Sequence, residues 1–289
     1  MPTSKKRKPK PSSQSLQKLT AAIVPTRRQR EAYKATCPPE TRTAQLAEAR
    51  AIIGKEVFNE RKNARIARAY QALALSPLCV DAYVALYAEG GYSDEGVDYL
   101  KRGIHAGELA LQGLHPNEDA FWQHSEGQPY LKARVDLAVH TVESDEDATI
   151  TGLQAVLAFD PTDRIKARYA LLDVLLNQDD VQPARNLLDK FPDDRSVEWL
   201  YGRLLVGYRE EQRAGRAVEA LMAEALAANP HVPSYLAELE GEADIGSDEP
   251  GTPGEADLYV SIAADRWDAE PGAIDWLVAL ARSVQDTPP

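Results

Sequence analysis

Four of the five histidines crowd into one stretch, His105, His115, His124 and His140, with Glu108, Glu118, Asp119 and Glu126 among them. Imidazole and carboxylate are the donors of zinc and hydrolytic sites, which need ligands converging at about 2 Å on one ion. Two ligands share a helix face only when three or four residues apart, and His105 with Glu108 forms a single such pair. There is no HExxH, so exposed or hydrogen-bonded histidines are expected here. An enzyme built on this His/Glu cluster is the third reading of the chain. No GxSxG elbow is present, and neither Cys37 nor Cys79 sits in a nucleophile signature. Phosphate-loop and dinucleotide fingerprints are missing as well. The glycines of "GYSDEGVDYLKRGIHAG" fall at helical spacing, so Gly96, Gly103 and Gly107 read as places where helices come close. No catalytic residue, metal or cofactor is expected.

Recognition chemistry is better represented. In "AFWQHSEGQPYLKAR", Phe121 and Trp122 precede a helix that starts near Pro129 and Tyr130. These aromatics either plug a seam between helix pairs, or Trp122, Tyr130, Lys132 and Arg134 line a concave groove that grips a peptide. Aromatic and Arg side chains carry most binding hot spots. Tyr83, Tyr87, Arg168, Tyr201 and Arg203 lie at comparable positions on other helices and complete the candidate peptide-binding set. Some of these nine must serve the core instead.

Charge is unevenly placed. Residues 1–34 hold ten Lys/Arg against one acid, a net of +9, on a chain whose total is −12. The remainder therefore carries −21. An acidic body repels phosphate backbones at long range, so it is a poor nucleic-acid surface. The basic arm (Lys5, Lys6, Arg7, Lys8, Lys10, Arg27, Arg28 and Arg30) supplies the second reading, weak nucleic-acid contact through residues 1–34. The arm also reads as a solvated tail with no fixed partner, as a segment that meets an acidic protein surface or folds back on the acidic body, or, in a host with a nucleus, as an import-like address. Two cysteines make no disulfide framework and suit a reducing compartment. "MPTSKKRKPKPSSQSLQKL" has no apolar region behind its basic start, and no apolar run nears the roughly 20 residues of a membrane span. A cytoplasmic protein without a membrane partner is expected.

The elements that position these residues are helices. Ile66, Tyr70 and Leu73 fall at i, i+4, i+7; Ile165, Tyr169, Leu172 and Leu176 at i, i+4, i+7, i+11. Such single stripes mark amphipathic helices, and no period-two run is long enough for a strand. Proline then ends helices at "LALSP", "LAFDP", "KFPDD" and "LAANP". From Pro77 through Pro116, Pro161 and Pro192 to Pro230 the intervals are 39, 45, 31 and 38 residues. Stacked helix-turn-helix units of that length make an α-solenoid.

The stretch "ALALSPLCVDAYVALYAE" resembles a tetratricopeptide-repeat junction. Ala72 and Pro77 match the end of a second helix, and Ala82, Tyr83 and Leu86 the start of the next first helix; Tyr87 stands where the repeat has a small residue. "EALAANP" matches again through Ala225 and Pro230. From about residue 41 the chain also resembles bacterial helical-repeat proteins similar to the suppressor of tumorigenicity seven family. "LSPLCVDAYVALYAE", "GIHAGELAL", "FWQHSEGQPYLKARVDLA", "NPHVPSYL" and "DRWDAEPGAIDWL" carry that resemblance in the expected order. It departs at Gln128, where the family pattern has Arg before Pro-Tyr. The resemblance implies a repeat fold and a binding role, with no catalytic residues.

The resulting expectation is an all-α chain: an α-solenoid of about five degenerate tetratricopeptide-like helix pairs with a C-terminal capping hairpin. Residues 1–40 are expected as a disordered basic arm, 41–237 as the repeat domain, 238–254 as an acidic connector and 255–289 as capping helices and tail. In the cap, Tyr259, Ile262, Trp267, Ile274, Trp276 and Leu277 are core candidates. The expected function is a non-catalytic scaffold that binds a protein or peptide on its concave face.

Overall fold

The computed structural model describes residues 24–55, 61–90, 93–141, 145–238 and 249–286. They form fifteen helices, with no strand among the described residues. The chain divides into two compact units at Ile165/Lys166. The first holds α1 (Arg27–Thr36), α2 (Pro39–Ile53), α3 (Lys62–Leu75), α4 (Val80–Gly90), α5 (Asp94–Ala110), α6 (Asp119–Gln123), α7 (Gly127–His140) and α8 (Glu146–Phe159). The second holds α9 (Ala167–Leu176), α10 (Gln182–Lys190), α11 (Val197–Arg209), α12 (Arg216–Ala228), α13 (Val232–Leu236), α14 (Pro253–Asp268) and α15 (Ala273–Gln285).

Local signals set the helix ends. The Ser93 hydroxyl accepts the Gly96 N–H at 3.3 Å, and the Asp145 carboxylate accepts that of Ala148 at 2.9 Å. Each satisfies a donor that the first helical turn leaves open. In the first unit, α2 packs on α3, α3 on α4, α4 on α5, α5 on α7 and α7 on α8; α2 also meets α4, and α4 meets α7. Alanines permit the close approach: Ala49, Ala69, Ala72 and Ala82 are fully buried around Leu73, Tyr83 and Leu86. The second unit is built around α11, with ten of its thirteen residues buried. It touches α9, α10, α12 and α14, while α15 packs on α12, α13 and α14.

Two expectations are corrected. The arm is not without structure as far as residue 40. Thr26 and Gln29 form a reciprocal capping box that starts α1, which packs on α5. Arg30, counted as a free cation of the arm, is only 3% exposed. Its guanidinium lies 5.7 Å over the Tyr83 ring and donates to the Pro25 carbonyl and to His105 Nδ1. Val24 is buried too, so residues 24–36 belong to the folded unit. Arg27 and Arg28 are exposed, and Arg27 pairs with Glu31. Lys5, Lys6, Arg7, Lys8 and Lys10 lie outside the described residues. The second correction concerns the single repeat domain over 41–237: the division falls inside it, in the turn that follows α8. There Asp160 accepts the Thr162 hydroxyl and the Arg164 N–H, and Asp163 and Lys166 hold positive φ. Most of the 238–254 connector lies outside the described residues. Its end does not hang free, because Asn229 donates to the Thr252 carbonyl and to Glu255, each at 2.9 Å.

In the capping hairpin Tyr259, Trp267 and Leu277 are buried, and Trp276 is half-buried with its indole N–H on the Arg213 carbonyl. Ile262 is the exception, facing solvent rather than core.

Close crossings in the first unit depend on glycine. A Cβ at Gly103 would stand 3.0 Å from Tyr83 Cβ, and one at Gly107 would stand 2.6 Å from Tyr130 Cδ2. A Cβ at Gly207, inside α11, meets nothing nearer than 3.6 Å. Gly107→Ala is therefore expected to destabilise the chain by about 1–3 kcal/mol through overpacking. Gly207→Ala should be neutral or stabilising, by up to about 1 kcal/mol, through helix propensity. Urea unfolding of the two variants measures both signs.

Candidate functional site

The nine candidate binding residues separate sharply by environment. Tyr83 and Tyr201 are fully buried and cannot meet a partner; the Tyr83 hydroxyl donates to the Pro77 carbonyl and that of Tyr201 to the Asn229 carbonyl. Tyr130 is nearly buried, edge-on to Phe159, which also contacts Phe121. Trp122 donates its indole N–H to the Pro116 carbonyl at 2.6 Å, and Arg164 stacks 4.7 Å above it. Arg134 lies over Tyr130 and Phe159. This is an aromatic seam closed by guanidiniums, the packing alternative for the "AFWQ" stretch. Lys132 alone of the nine is exposed. Tyr87 is half-buried beside His140, with its hydroxyl 3.4 Å from Nδ1.

In the second unit Arg168 donates from Nε to Asp194 at 2.8 Å and stacks on Tyr169, Phe191 and Trp199. Tyr169 donates to the same carboxylate at 2.9 Å. Burial of Asp194 opposes its ionisation, but hydrogen bonds from Ser196, Arg168 and Tyr169 outweigh it and hold the carboxyl below its usual range. Arg203 donates to the carbonyls of Leu188 and Phe191. Both guanidiniums are thus committed to internal partners.

Just before α7 stands Glu126, one acid of the His/Glu stretch, with partners that sequence spacing did not indicate. Glu126 is 0% exposed. Its Oε2 accepts the Val80 N–H at the start of α4 at 2.6 Å, and its Oε1 lies 3.2 Å from Arg50. Arg50 also reaches Asp81 at 2.7 Å and the Ser125 carbonyl at 2.7 Å. Burial pushes the Glu126 carboxyl up to about 7, against the downward pull of the Val80 N–H and Arg50. Burial likewise raises the neighbouring Cys79 thiol to about 12.

The histidines do not converge. His105 accepts from Arg30, His115 sits beside Asn117 and Phe159, His124 accepts the Glu126 N–H, and His140 meets Tyr87. Among the described residues no three His, Cys, Asp or Glu side chains are grouped to hold a metal ion.

Two cavities differ in character. One of about 500 Å³ between α5, α7 and α8 is bordered by Tyr130, Arg134 and Glu108. One of about 270 Å³ in the second unit lies between α9, α11 and α14, floored by Leu172, Leu176 and Tyr259 and edged by Leu258 and Ile262. The sequence held a signal for the latter: α14 carries two apolar stripes, 259/263/267 and 258/262, and one buried face needs only the first.

No protein-family model matches the chain, and no curated protein matches its sequence. The resemblance to repeat proteins rests on the sequence stretches that carry it. No helix among the described residues is long and apolar enough to cross a membrane.

The elevated Glu126 carboxyl means that the folded state keeps this proton to a higher pH than the unfolded chain, whose value is near 4.5. Its contribution to stability is present below pH 4.5 and is lost as pH rises towards 7. The stability of the wild type relative to Glu126→Gln should fall by on the order of 1–3 kcal/mol across that window, measured by urea unfolding at each pH. His124, held below its usual value by burial, works with opposite sign and is common to both proteins. Separately, Arg168→Ala is expected to cost about 2–4 kcal/mol by leaving Asp194 half-paired. Arg168→Lys should recover little of it, because an ammonium cannot stack on three rings; thermal unfolding decides.

Proposed function

We propose that the chain is a non-catalytic helical-repeat scaffold that binds a protein or peptide partner on the face formed by the first helix of each pair. One observation carries the reading. In each unit three first helices touch in succession, α2–α4–α7 in one and α9–α11–α14 in the other. Their second helices, α3, α5 and α8 or α10, α12 and α15, pack against them. Stacked pairs of this kind are the element of an α-solenoid, whose accumulated rotation makes a concave binding surface. Recognition there would use helix-in-groove contacts, read as apolar anchors one turn apart. The internal commitment of Arg168, Arg203, Tyr83 and Tyr201 moves the contact set to exposed first-helix positions such as Lys132 and Leu258.

A photo-crosslinking amino acid at Tyr87 or Lys132, on first helices, is expected to capture protein partners in cells that make the chain. The same group at the exposed second-helix positions Lys101, Gln154 and Glu219 should capture few. Crosslinks from the second helices alone would reverse the assignment.

A further inference from the structure

We propose that the groove between α9, α11 and α14 docks a basic amphipathic helix of a partner protein, seated through two apolar side chains one turn apart and flanked by Lys or Arg. The inference rests on the scaffold reading and names the partner's chemistry. Leu258 and Ile262 are 52% and 57% exposed, and they are the only large hydrophobics in the exposed class among the described residues. They stand at i, i+4 on α14 and edge the same cavity of about 270 Å³. Two large apolar side chains left open beside an apolar hollow mark a surface meant to be covered.

The charge around that hollow specifies what covers it. Asp173, Glu198 and Glu255 line it, and Asp265 stands one turn beyond Ile262 on α14. The one lining base, Arg266, is almost buried and already bonded to Asp173. Glu255 is held by Gly251 and Asn229. Glu198 and Asp265 are exposed, and their side chains make no hydrogen bond or ion pair among the described residues. On the groove floor burial raises the Tyr259 hydroxyl to about 12; Trp267 and Arg266 pull it down, and Glu198 and Asp173 add smaller upward pushes. Residues 166–289 as a whole carry eleven Lys/Arg against twenty-four Asp/Glu. A second copy would bring the same carboxylates face to face across an isologous contact, and like charges there repel. A phosphate backbone or an anionic lipid surface meets the same repulsion. A basic helix alone complements both the apolar edge and the acids.

The test uses the full chain and two fluorescent helical peptides that share a Leu pair at i, i+4. The peptides differ only in carrying Lys or Glu elsewhere. Anisotropy titration should show binding of the Lys peptide and not of the Glu peptide. Leu258→Ser with Ile262→Ser should weaken binding about tenfold or more. Glu198→Gln with Asp265→Asn should weaken it and reduce its salt dependence. Glu219→Gln with Asp275→Asn, an equal change of charge at exposed residues outside the groove lining, should leave it intact. Circular dichroism melting of each variant should match the wild type, since every altered side chain is exposed. Equal binding of both peptides, or equal loss in the control variant, would overturn the proposal. So would self-association, seen by ultracentrifugation, that the double Ser variant abolishes. If the peptides fail here while crosslinks from Tyr87 and Lys132 persist, the groove assignment falls and the scaffold reading stands.

Discussion

A helix of ten to fifteen residues is barely stable alone and must cover its apolar stripe against something. In this chain the cover is in most cases the next helix in sequence, with α1 on α5 and α15 on α12 as longer-range exceptions, and that constraint orders both units. It explains why alanine lines the contacts between α2, α3 and α4, and why Gly103 and Gly107 stand where α5 meets Tyr83 and Tyr130. Small residues set the spacing between axes, and large ones such as Trp199 and Trp267 fill what is left. The same constraint makes α11 the centre of its unit, with neighbours on nearly every side.

Polar groups are subordinate to that packing. Arginine joins elements more often than it advertises charge: Arg30 to Pro25 and His105, Arg50 to Ser125 and Asp81, Arg168 to Asp194, Arg209 to Leu176 and Glu270. A planar fork with several donors can satisfy carbonyls and a carboxylate at once, which suits it to loops between helices. The acids left facing water then dominate the electrostatics of the second unit's groove.

Helices and their prolines were legible because a 3.6-residue stripe needs only local sequence. Ala72, Ala82, Tyr83 and Leu86, read from the repeat-like junction, all lie in the core. What stayed hidden depended on partners far along the chain. Nothing near Arg168 announces Asp194, and nothing near Glu126 announces Val80 or Arg50. The start of α1 was legible in Thr26 and Gln29 but was masked by basic composition. Ile262 was read as core because apolar residues on two stripes of one helix look alike until the neighbours are placed. The division after Ile165 left no composition signal, since helical pairs continue on both sides of it.

Glu126 closes the first N–H of α4 from 46 positions downstream. A chain emerging from the ribosome makes α4 well before it makes that carboxylate. The beginning of α4 is therefore left open to water until α7 is being synthesised, when one side chain fastens α2, α4 and α7 together. The latch on the early helices of the first unit thus comes from a later part of the chain, and a nascent chain halted short of residue 126 carries them unlatched.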